Sequence, residues 1–186
     1  MIITFRELFD MALMTLAVGY IFMGIFQVHT RIQAFDWRAL WFACLVTTPA
    51  LILHELSHKF VAMGFGMDAT FHAAYLFLGI GVLLRFAHSP FIFFVPAYVA
   101  IGCASLPCRF NPLDSAIIAF AGPAVNLALF VTAWLVLKYR RIRSRMWFAF
   151  WFITQRINLL LFILNMLPVP GFDGFKVYEG LWRAIA

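Results

Sequence analysis

The chain has 186 residues, of which 65% are apolar, 18% aromatic and only 12% charged, about half the roughly 25% charged content of an average soluble domain; this composition excludes an ordinary soluble fold and points to a membrane protein. Lys and Arg number 14 against 8 Asp and Glu, a formal charge of +6, but the basic residues do not share one face, which excludes a nucleic-acid partner. Cys44, Cys103 and Cys108 stand in apolar settings, too few for a disulfide framework, and read as buried thiols.

A helical span needs about 20 apolar residues, and four stretches come close: Met11–Val28, Ala39–Met63, Ala116–Leu137 and Met146–Leu167. The first follows Arg6, Glu7 and Asp10 and has no small-residue cleavage site behind it, so it reads as a retained anchor. Between the second and third, the apolar run from Phe71 to Cys108 is interrupted by Gly79, Gly81, Arg85, His88, Pro90, Pro96 and Gly102. We read it as a re-entrant hairpin in which Pro96–Cys103, with its β-branched and aromatic residues, forms a short strand or an apolar helical segment. Lys138, Arg140, Arg141, Arg143 and Arg145 form a basic loop between the last two spans, cytoplasmic by the positive-inside rule. Trp37, Trp41, Trp147 and Trp182 fall near span ends, as interfacial anchors do. The expectation is an all-α polytopic membrane protein with four transmembrane helices, plus a re-entrant or hairpin segment with short β-strands, about four to six spans. It forms a single membrane-embedded domain over 1–186, with an anchor in 1–38 and a catalytic core in 39–186, multi-pass in the cell membrane.

Ionisable residues within a span cost several kcal/mol unless partnered. The second stretch holds three close together, in His54-Glu55-Leu56-Ser57-His58, the pattern H-E-x-x-H, with Lys59 adjacent but facing elsewhere. Helical geometry sets His54 and His58 one turn apart on one face, where two imidazoles bind one zinc ion, and Glu55 on the neighbouring face reaches a water on that metal. The competing reading, hydrogen-bonded core histidines with an ion-paired glutamate, leaves these groups to pay for their own desolvation. Two imidazoles and a water leave one tetrahedral position for a third protein ligand. Asp173 is the best candidate: Pro168, Pro170 and Gly171 break the helix after the last span and free a short carboxylate to swing toward the metal. An ordinary surface turn uses the same residue types.

At these residues the chain resembles the site-2 protease family of intramembrane zinc metalloproteases. The resemblance rests on His54-Glu-Leu-Ser-His58, Gly122-Pro123-Ala-Val-Asn126 and Asn165-x-x-Pro168 leading to Asp173-Gly174, in the family's order from about Ala39 to the C-terminus. It implies that His54, His58 and Asp173 bind one Zn2+ per chain, that Glu55 is the catalytic base and that Asn165 lies beside the substrate or the oxyanion. Gly122–Asn126 matches a structural motif at the start of the helix between the two catalytic ones. The chain departs from the family at Phe172, where leucine is usual, and in a long insertion between the histidines and Gly122; no peptide-binding or nucleotide-binding module is recognisable.

These residues suit hydrolysis of peptide bonds within or near transmembrane segments of protein substrates in the lipid bilayer. Glu55 takes the proton of a zinc-bound water and returns it to the leaving amine, while zinc and the Asn165 amide stabilise the oxyanion; Asn165 reads equally as an interhelical hydrogen bonder. A helical substrate has to be unwound first, and strand addition on Pro96–Cys103 would hold it open. The alternative is a membrane metal-ion transporter or a proteolytically silent metal-binding protein; Glu55 separates the two, because a carrier needs no base beside a bound water. A haem or quinone protein using His29, His72 and His88 is a third reading, though these histidines lack a paired spacing. Charge counting over the Lys138–Arg145 loop with Arg31 and Arg38 turns the site outward, whereas the resemblance implies a site toward the cytoplasm.

Overall fold

The computed structural model of the chain describes residues 2–26, 35–89, 95–103 and 111–185. In order they form α1 (Phe5–Phe26), α2 (Trp37–Gly64), β1 (Met67–Ala73), α3 (Tyr75–Phe86), β2 (Ala97–Cys103), α4 (Pro112–Tyr139), α5 (Arg145–Asn165) and α6 (Asp173–Ile185). The helices α1, α2, α4 and α5 are long and apolar enough to cross a membrane and coincide with the four expected stretches. The molecule is thus an all-α polytopic membrane protein carrying a small two-stranded sheet.

The helices start where local chemistry dictates. Asn111 accepts a hydrogen bond from the Leu113 N–H with Pro112 at the first helical position, and Ser144 does the same for Trp147 N–H, so that orphan donors at the starts of α4 and α5 are satisfied. On α1, Arg6, Glu7 and Asp10 are part of the helix rather than a flank.

The described part of the interrupted segment contributes to three elements. The expected strand is β2, paired with β1, whose Met-Asp-Ala-Thr-Phe-His-Ala sequence carries too little β-branched content to announce itself. Between them α3, with 12 residues, is too short to span hydrocarbon. Ala74 N–H donates to Pro96 O at 3.0 Å, joining the end of β1 to the beginning of β2, which makes the pair antiparallel. His29, Arg31, Pro90 and Cys108 lie outside the described residues.

The chain divides into two compact units, Met1–Leu51 with Phe71–Tyr98 and Ile52–Thr70 with Val99–Ala186. In the first, α1 packs on α3, and Met23, Ala39, Leu40 and Cys44 form a buried cluster flanked by Tyr20 and Phe26. A Cβ at Gly19 would collide with Cys44 Sγ, so glycine is what allows this close helix approach. Two carboxylates of α1, Glu7 and Asp10, are fully buried here. Glu7 Oε1 accepts from Phe71 N–H at 2.8 Å and Oε2 from Thr4 N–H at 2.7 Å; Asp10 accepts from Ala73 N–H at 3.3 Å and from the Tyr75 hydroxyl. Since Ala74 points its N–H at β2, Phe71 and Ala73 point theirs the other way, and the two carboxylates occupy the outer edge of β1 in place of a strand.

In the second unit α4 packs on both α5 and α6. The helix α6 follows a turn through Pro168, Pro170 and Gly171, the last at φ +103°, a value glycine tolerates. Gly174 lies against the Met166 carbonyl and Gly180 against Pro112 O, where any Cβ would strike backbone, so α6 sits directly on the end of α5 and the start of α4.

Candidate metal centre

All the groups of the centre belong to the second unit. Helical spacing on α2 brings the His54 and His58 Nε2 atoms to 3.1 Å. Asp173, the first residue of α6, places Oδ2 3.0 Å from His54 Nε2 and 3.3 Å from His58 Nε2. The structure therefore joins the three residues singled out by the sequence, across 119 positions of chain. Both imidazoles are buried and the carboxylate is one-fifth exposed.

Each ring is also held from behind. His58 Nδ1 lies 2.7 Å from the Ile118 carbonyl of α4, and His54 Nδ1 lies 2.5 Å from Asn126 Oδ1. Behind Asn126, its Nδ2 donates to Asn158 Oδ1 at 2.9 Å, and Asn158 Nδ2 donates to Thr154 O at 2.8 Å. With the outer ring nitrogens engaged by acceptors, both Nε2 lone pairs meet the Asp173 carboxylate. Three acceptors this close require a cation among them, a proton or a metal. Burial by itself would raise the Asp173 carboxyl, but the hydrogen bonds and charge of His54 and His58 outweigh it and hold it well below the usual carboxylate range.

The donor set fits zinc. Two imidazole nitrogens and one carboxylate oxygen are a familiar open three-ligand set, and donors about 2.0–2.1 Å from a tetrahedral ion stand about 3.3 Å apart, close to the 3.0, 3.1 and 3.3 Å seen here. Gly122 supplies the space: a Cβ there would press on the Nε2 atoms of both histidines, 2.5 Å from that of His54. Glu55, half-buried on the same turn of α2, sits in the field of His54, His58, Asp173 and Lys176.

Asn165 is the last residue of α5, half-buried ahead of the turn into α6. The carboxamides bonded to the histidine side of the centre are instead those of Asn126 and Asn158. Sequence reading placed Asn126 in a motif without a task and passed over Asn158; the available signal was a carboxamide inside an apolar span, which needs a partner as much as an ionisable group does. Among the described residues, neither His72 nor His88 belongs to the group formed by His54, His58 and Asp173. His72 lies on β1, 3.9 Å from Asp10 Oδ2 and against the Tyr98 ring, and His88 follows α3 at φ +54°.

A polytopic membrane protein with an H-E-x-x-H helix and a carboxylate closing a three-ligand set is the class that this fold and site define. The chain is 30% identical over 176 residues to "Putative zinc metalloprotease MJ0611" of Methanocaldococcus jannaschii, covering 94% of this chain and 84% of that protein. It therefore belongs to the same family as the M. jannaschii protein. It is also 30% identical over 141 residues to "Putative zinc metalloprotease Rip2" of Mycobacterium tuberculosis, covering 70% of this chain and 53% of Rip2, and 30% identical over 145 residues to "Putative zinc metalloprotease YwhC" of Bacillus subtilis, covering 69% and 64%. The chain thus spans about half the length of Rip2. No family model matches the sequence, and no solved structure matches it significantly.

Proposed function

We propose that the protein is an intramembrane zinc metalloprotease of the site-2 protease type, which hydrolyses peptide bonds within or near transmembrane segments of membrane proteins in the cell membrane. The observation that carries this reading is the convergence of His54, His58 and Asp173 on one another, with two of the three on an apolar helix long enough to span the bilayer. The names of the relatives support zinc and proteolysis.

His54, His58 and Asp173 would hold one zinc ion, which when bound supplies Lewis-acid activation of water and of a peptide carbonyl. Glu55 accepts a proton from the attacking water and delivers it to the leaving amine, a transfer within reach of a carboxylate on the same helical turn as both ligands. Asn165 offers its amide to the oxygen on which charge develops. The scissile segment has to leave its helical hydrogen-bond ladder, and β2 offers a strand with which it can pair. The outer edge of β1 is closed by Glu7 and Asp10, which leaves β2 as the strand with a side to offer. The whole chain acts as one membrane-embedded catalytic domain, its first helix an anchor.

The test is cleavage of a model transmembrane peptide rich in helix-breaking residues by the purified protein and by Glu55→Gln, with zinc determined in both. Wild type should cut, and the variant should retain zinc while losing activity by about 100-fold or more, the usual worth of a general base. Zinc in both proteins with cleavage by neither would favour metal carriage; zinc in neither would refute the ligand set.

A further inference from the structure

The helix α5 exposes most of its apolar surface, and its one fully buried residue is polar, Asn158. Placing a carboxamide where a leucine would bury more apolar area is costly unless the group has a task.

Its hydrogen bonds show what the task is. Thr154 O is a backbone carbonyl and can only accept, so Asn158 must turn its Nδ2 toward it at 2.8 Å. Its Oδ1 then faces Asn126, which must answer with Nδ2 at 2.9 Å. That leaves Asn126 Oδ1 toward His54 at 2.5 Å, and an acceptor there requires the proton on His54 Nδ1. The polarity of the whole row is set at its far end by a group that cannot reverse. His58 needs no such row, because its Nδ1 faces the Ile118 carbonyl directly.

We propose that Asn158 is a positioning residue that, through Asn126, locks His54 in the tautomer whose Nε2 lone pair faces Asp173. Without Asn158 the Asn126 Nδ2 loses the acceptor that orients it, and an amide turned over would present Nδ2 to the ring and select the opposite tautomer, which cannot ligate a metal through Nε2. This deepens the metalloprotease reading and rests on it for the identity of the ligand, but the tautomer itself does not depend on activity.

The experiment uses the full chain in detergent. With 15N-labelled histidine in metal-free wild-type protein, His54 should carry a proton on Nδ1, whether or not Nε2 shares a second one with Asp173; an unprotonated Nδ1 overturns the proposal whatever the variants do. Zinc affinity, measured by chelator competition, should fall roughly 10–100-fold in Asn158→Leu, the range for loss of an orienting partner behind a ligand. The double variant Asn126→Asp/Asn158→Leu should recover most of the loss, because a carboxylate accepts the Nδ1 proton in either orientation. A merely structural Asn158 would not be rescued in this way, so an unrescued loss, or no loss, refutes the role. If Asn158→Leu does not fold, the wild-type spectrum decides alone. Failure of wild type to bind zinc would refute the metal reading, while the imidazole spectrum would still decide the tautomer.

Discussion

Two regions of the molecule bury charged groups and do so to opposite ends. In the first unit, the Glu7 and Asp10 carboxylates are saturated by donors of the fold itself: backbone N–H groups of Thr4, Phe71 and Ala73 and the Tyr75 hydroxyl. In the second, His54, His58 and Asp173 turn acceptors toward one another, with the donors used up behind the rings on Ile118 and Asn126. A carboxylate whose lone pairs are answered by the backbone is structural cement, whereas acceptors that face each other hold a cation. The difference lies in where the donors are, not in which residues are buried.

The largest effect that would break this contrast is expected at Gly122. Gly122→Ala puts a methyl group against both Nε2 atoms; zinc content should fall from the wild-type level to background, while helix content is unchanged, since alanine favours a helix by about 1 kcal/mol over glycine. Full zinc content in that variant would show that the metal lies elsewhere.

Acid should reach the Asp173 carboxyl of the second region late. The Asp173 carboxyl is held low by the two histidines. Its share of the stability of the metal-free chain is therefore complete above the ordinary carboxylate pKa of about 3.9 and is lost only as pH falls through the lowered value. Lowering the pH of the metal-free chain from about 7 to 5 should consequently leave this share intact. A loss of stability between about pH 7 and 5 that is present in wild type and absent in Asp173→Asn, read by unfolding of the metal-free proteins in detergent, would contradict this.

In the first region, Glu7→Gln replaces an acceptor by a donor opposite a backbone N–H. It should lower thermal stability by about 1–3 kcal/mol and leave zinc content untouched, read by unfolding in detergent and by metal analysis. Loss of zinc would mean that the two kinds of burial are not separable. The smallest effect is expected at Arg183, whose 2.7 Å pair with Glu179 is solvent-exposed: Arg183→Ala should change stability by less than about 1 kcal/mol, calibrating the buried pairs against an ordinary surface one.

The four spans and the H-E-x-x-H pair were legible in the sequence because both are local. Apolar length decides whether a helix crosses a membrane, and a four-residue spacing on a helix decides that two side chains share a face, whatever surrounds them. Asp173 was legible as a candidate through the Pro168, Pro170 and Gly171 break, but the sequence held an ordinary turn open against it. The helix it begins, α6, went unforeseen, being short and less apolar than the spans.

What only the tertiary structure decided are the pairings across distant chain: Asp173 against His54, Asn126 between His54 and Asn158, the α1 carboxylates on the edge of β1, and β1 with β2. Hydrogen bonds carry no periodicity, so a buried asparagine announces that it has a partner without naming it. The partner follows from packing, and here packing turns on a few glycines where helices touch. Chemistry able to hold a metal was written in the sequence; the donors that aim it came from the fold.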